Sequence, residues 1–169
     1  AELANIVNEA ALRAVRDGSD LEAREHVAFA NTMSGYSMVV GSCTSEHAME
    51  HAMSAYHQGL PHGAGLIMLS QAYYTHFIEK HCCDERFVRM AQALGKSDAR
   101  EPMDFITALA GLQQACGVDG LKMSDYGIVR EECEALAQNA RATMGGLFDC
   151  DPTPMSEAEC AAIYARAYR

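Results

Sequence analysis

Apolar and polar positions follow a helical period along almost the whole chain. In "LANIVNEAALRAVR", residues 3 to 16, apolar groups fall at 3, 6, 7, 10, 11, 14 and 15, a repeat near 3.6. "DGSD" breaks the pattern, and Ser19 or Asp20 supplies a cap for the next helix, with Glu22 in its first turn favouring the dipole. That helix, "DLEAREHVAFANTMSGYSMVVG" (20 to 41), starts polar and ends apolar on nearly every side. Such a pattern predicts a helix through the centre of a bundle, with Val27 to Val40 buried all round and small residues allowing close approach. A shorter helix is expected over about 44 to 56. A loop at "HQGLP" follows, and another helix opens at His62. Further helices are expected near 84–94, 102–115, 129–143 and 156–168. Pro102 stands at a helix start, and Ser156 with Glu159 forms a capping box. "MGGLFDCDPTP" reads as loop. No segment alternates like a strand, and no internal repeat appears. The expectation is an all-α, multi-helix bundle of about seven helices forming one domain over 1–169.

Composition narrows the function classes. The chain has 169 residues, 49% of them apolar, enough for a core of its own. A net charge of −10 argues against a nucleic-acid surface. The polar, amphipathic "AELANIVNEA" lacks the basic start of a signal peptide, and no apolar run reaches membrane-spanning length. Seven cysteines in irregular spacing suggest reduced thiols rather than a disulfide framework, hence a cytoplasmic protein. Cys82-Cys83 beside His81 reads as a surface pair.

The histidines change the picture. His47, His51, His57 and His62 account for four of the seven and fall within sixteen positions. His47 and His51, four apart, project from one helix face, with Glu50 and Ser54 at its edges. His62 opens the following helix and meets His47 if the two helices cross. The glycines behind His62 cost helix stability, about 1 kcal/mol each, and imply that a backbone or a cofactor comes close. His57 reads as a loop residue; His26, His76 and His81 lie on charged helix faces. The residues alone point to a divalent-metal or acid–base site with an incomplete ligand set.

"HAMEHAMSAYHQGLPHGAGLIML" resembles the histidine segment of the iron-containing (group III) alcohol dehydrogenases, whose pattern is H-x-x-x-H, a turn, then P/A/T-H-G. The resemblance continues through "DLEAREHVAFANTMSGYSMVVGSCTSEHAMEH" and the tail "LAQNARATMGGLFDCDPTPMSEAECAAIYARAY". It implies the helical C-terminal domain of a dehydroquinate-synthase-like fold. It also implies that His47 and His62 ligate a divalent metal, Fe²⁺ above all, with Zn²⁺ or Ni²⁺ possible. His51 would stand in the substrate and nicotinamide pocket and relay a proton. The family's other two ligands, in a D-x-x-x-H segment, and its nucleotide-binding domain precede the region of resemblance, and no D-x-x-x-H occurs here upstream of His47. The expectation is therefore part of a longer NAD- or NADP-dependent enzyme acting on a small alcohol or aldehyde, inactive by itself and inclined to form homo-oligomers. Two alternatives stay open. One is a self-contained helical metal-binding protein or metal hydrolase, with Glu46 or Glu50 joining the histidines. The other is an interaction module in which the imidazoles point apart.

Overall fold

The computed structural model describes residues 7–169, with the side chains of Val7 and Asn8 outside the description. The first four residues of the helix expected over 3–16 lie outside it too. Its remainder begins as a π-helical turn, Val7–Ala11, and continues as α1, Leu12–Arg16. Seven more α-helices follow: α2 Leu21–Gly41, α3 Ser45–Tyr56, α4 His62–Glu79, α5 Asp84–Ala93, α6 Asp104–Ala115, α7 Cys133–Met144 and α8 Glu157–Ala167. No strand occurs among the described residues, so the fold is all-α. No helix among them is long and apolar enough to cross a membrane. The "MGGLFDC" stretch is not plain loop. Gly145–Cys150 winds into a 3₁₀-helix that buries Phe148, because an aromatic ring at this point has the core to enter.

The backbone gathers into two compact units. The first contains residues 7–42 and Cys83–Asp119. Asp20 caps α2, accepting from the Ala23 N–H at 3.0 Å, and Arg13 ties back to Asp20 at 2.9 Å. In the same unit α5 packs on α6, with Phe87 and Phe105 5.7 Å apart between ring centres. The central position expected for α2 is not observed. Among its residues only Ala23 and Ala30 are buried, while Tyr36, Val39 and Val40 are 65%, 86% and 91% exposed. All-round apolarity states what a helix tolerates against it, and the described residues bury only Ala23 and Ala30, with Val27 and Met33 partly covered.

The second unit, Cys43–Cys82 with Gly120–Arg169, carries the histidines. Its four long helices close a ring: α3 packs on α4 and α7, and α8 packs on α4 and α7. Met49, Met53, Leu69, Tyr73, Phe77, Leu136, Ile163 and Tyr164 fill it, none more than 3% exposed. Two polar clamps hold α3. Thr44 precedes the helix without capping it by its side chain. Asp151 does so from 106 residues away, accepting from the Ser45 N–H at 3.0 Å and from the Tyr73 hydroxyl at 2.8 Å. Tyr164, fully buried, donates its hydroxyl to the Met49 carbonyl at 2.6 Å. The expected box at α8 is present, Glu159 N–H donating to Ser156 Oγ and Ser156 N–H to Glu159 Oε2 at 2.7 Å.

Two outcomes follow for urea unfolding. Tyr164→Phe removes the buried side-chain donor to the Met49 carbonyl and is expected to cost about 1 kcal/mol. Ser156→Ala is expected to cost about 1 kcal/mol. Lys80 and the Ser156 N–H hold the Glu159 carboxyl down at about 2, so its contribution stands above the ordinary carboxylate range near 4.5 and disappears as pH falls towards 2. The stability gap between wild type and Glu159→Gln should accordingly shrink between pH 7 and pH 2; a gap independent of pH contradicts the assignment.

Candidate metal centre

Helix α3 sets out the first two imidazoles one turn apart, and a five-residue turn, 57 to 61, returns the chain so that α4 begins with the third. The turn is closed by local hydrogen bonds. His57 N–H donates to the Met53 carbonyl at 2.8 Å, and Leu60 N–H to the His57 carbonyl at 2.9 Å, with Leu60 buried. Pro61 is extended and its carbonyl accepts from the N–H groups of Ala64 and Gly65, starting α4 at His62. His57 is more than a loop residue. Its Nε2 bonds the Glu132 carboxylate at 3.1 Å, and the same carboxylate accepts from the Val129 N–H at 2.8 Å. This bond fastens the α3–α4 turn to the segment leading into α7. No local signal announces it, since the partners are 75 residues apart.

The turn brings His47, His51 and His62 together. The His62 ring centre lies 5.2 Å from that of His47 and 5.2 Å from that of His51. One ring nitrogen from each lies within 4.8 Å of the others, the only grouping of three or more potential metal-ligating side chains among the described residues. His47 is half-buried; His51 and His62 are exposed. Burial, and then the neighbouring His62 and His51, hold His47 below its ordinary value, so it favours the neutral form that a metal ligand requires. The donor set thus fits a divalent cation: three imidazoles, convergent and open on one side. His51 stands as near to His62 as His47 does, 5.2 Å between ring centres in each case.

Glu50 sits behind this group, and its importance is not apparent from the sequence. It is fully buried. Its carboxylate accepts from the Ser54 hydroxyl at 2.5 Å and is hydrogen-bonded to His62 Nδ1. It does not share the point on which the three imidazoles converge. The glycines of α4 divide accordingly. Gly63 faces open space, whereas a Cβ at Gly65 would stand 2.6 Å from Glu50 Cγ and 2.8 Å from its Oε1. The close approach expected behind His62 is therefore made at Gly65, by the carboxylate of the preceding helix. Glu46 is directed elsewhere: it accepts from the Tyr74 hydroxyl at 3.2 Å, and burial pushes its carboxyl up to about 7.

Known proteins share this arrangement of helices. Residues 1–168 match the model of the Fe-containing alcohol dehydrogenase family, C-terminal. The NAD-dependent methanol dehydrogenase of Bacillus methanolicus is 29% identical over 141 residues, covering 80% of this chain and 36% of that protein. The 1,3-propanediol dehydrogenase of Klebsiella pneumoniae is 27% identical over 164 residues, covering 92% of this chain and 40% of that one. Among solved structures, the archaeal halo-thermophilic Red Sea brine pool alcohol dehydrogenase ADH/D1 has a TM-score of 0.90 at 30% identity, over 98% of this chain and 42% of its own. The chain spans about two fifths of the length of these relatives. With a family model matched from residue 1 to 168 and the helical fold of these enzymes, the chain belongs to the Fe-containing alcohol dehydrogenase family, in its C-terminal part.

Proposed function

We propose that this chain is the metal-binding helical part of an alcohol dehydrogenase that uses NAD or NADP and a divalent cation to interconvert a small primary alcohol or polyol and its aldehyde. The convergence of His47, His51 and His62 carries the reading. His47 and His62, from the start of α3 and the start of α4, hold the cation; Fe²⁺ is the first choice, and the same donors suit Zn²⁺ or Ni²⁺. A cation bound there supplies Lewis acidity that makes an alcohol hydroxyl easier to deprotonate. His51, exposed beside the pair, orients the substrate hydroxyl and relays its proton towards solvent. A nicotinamide cofactor, when bound by the working enzyme, would supply the hydride acceptor. Its binding, and two further ligands, belong to a part of the working enzyme outside these 169 residues.

A self-contained hydrolase needs an acidic side chain at the point where the imidazoles meet. Glu50 lies behind His62 instead, and Glu46 is engaged with Tyr74, so the geometry favours the dehydrogenase reading.

Metal binding tests it. The chain should take up Zn²⁺ or Fe²⁺ in competition with a chelating dye. His47→Ala and His62→Ala should each weaken that binding roughly tenfold or more. His51→Ala should weaken it less. Equal affinity in wild type and both ligand variants would remove the metal centre from the account. Mixed with NAD and an alcohol, the 169 residues alone should produce no NADH; turnover by them would show that the proposed division of labour is wrong.

A further inference from the structure

Glu50 is a charged side chain with no accessible surface, placed one residue before His51 and against the back of His62. A buried carboxylate is costly unless its oxygens are satisfied. Here they are divided between two donors: Ser54 Oγ takes Oε1, and His62 Nδ1 takes Oε2. With the carboxylate as the acceptor in this bond, the proton would lie on His62 Nδ1. That leaves Nε2 as the ring nitrogen with a free lone pair. The carboxylate also has little freedom to move aside, because Gly65 closes over its Cγ and Oε1 at distances a side chain there would violate.

We propose that Glu50 is a positioning residue for metal capture. Its buried carboxylate fixes the His62 ring in the Nδ1–H tautomer and presents Nε2 to a divalent cation shared with His47, with Ser54 steadying the carboxylate and Gly65 making room for it. The inference rests on the metal-binding reading above and adds to it the group that prepares one ligand. Carboxylate–imidazole–metal relays raise the basicity of the ligating nitrogen and lock its orientation, and losing such a partner typically weakens metal binding about 10–100-fold.

Two measurements on the full 169-residue chain separate the inference from the reading beneath it. The first needs no metal. In ¹⁵N-labelled chain at pH 7.5, long-range proton–nitrogen correlation should show His62 protonated at Nδ1 in wild type. It should show a shift towards the Nε2–H tautomer in Glu50→Ala. A wild-type His62 protonated at Nε2 overturns the proposal whatever the metal does. The second is Zn²⁺ affinity by chelator competition. Glu50→Ala should bind about 10–100-fold more weakly than wild type. Glu50→Gln keeps the shape and one acceptor but loses the charge, so it should fall in between. Gly65→Ala should follow Glu50→Ala, while Gly63→Ala, facing open space, should match wild type. If Glu50→Ala fails to fold, Glu50→Gln decides: an affinity within twofold of wild type overturns the proposal. Unchanged affinity in both Glu50 variants while His47→Ala and His62→Ala lose the metal would sink the positioning role and keep the metal centre. Unchanged affinity in the histidine variants would sink the centre itself, and the nitrogen spectra would still report whether Glu50 orients His62.

Discussion

The site-bearing half of this molecule depends on the satisfaction of one buried carboxylate. Glu50 has no contact with water, so both its oxygens need donors, and those donors lie on two different helices: Ser54 one turn along α3, and His62 at the start of α4. The requirement adds a directional constraint on how α4 lies against α3 to the non-directional one of apolar packing. The same requirement makes residue 65 a glycine and fixes the His62 ring. Structure and chemistry here are a single constraint: the arrangement that satisfies the buried charge is also the one that aims the imidazole.

The surrounding ring of four helices supplies what a metal centre needs from its scaffold, namely rigid supports for side chains that come from separate turns. The bonds that hold α3 are long in sequence and short in space. Asp151 caps its first turn, next to His47; Tyr164 takes the Met49 carbonyl in its middle; Glu132 catches His57 just past its end. Each clamp lies within a few residues of a candidate ligand. The imidazoles are therefore held from behind while remaining reachable from solvent at His51 and His62.

Much of this was legible from the residues. The 3.6-residue apolar period locates the helices, because each must bury one stripe. The Asp20 cap and the Ser156–Glu159 box are legible because their chemistry is complete within four residues. The pairing of His47 with His51 follows from helix geometry, and the place of His62 follows from a short turn and from resemblance to a family. What escaped is non-local or depends on surroundings. The partners Asp151–Ser45 and Glu132–His57 are separated by 106 and 75 residues, with nothing local to join them. Glu50 looks like any acidic residue on a helix until α4 lies across it. The exposed Val39 and Val40 show the converse error: an apolar surface reveals its preference for burial but not what lies against it. Phe148 drew a presumed loop into a 3₁₀ turn for the same reason, since a ring near a core is drawn into it.

The bond from Tyr164 to Met49 has a consequence for synthesis. It spans 115 residues, and the acceptor leaves the ribosome long before the donor does. Until α8 emerges, α3 lacks its inner clamp and one wall of its ring, so the nascent histidine hairpin waits for about 100 further residues before that closure can form. Proteins with such distant closures fold late and expose unfinished surface in the interval. A ribosome stalled shortly before residue 164 would thus carry His47, His51 and His62 yet lack the closure that keeps their helix in place.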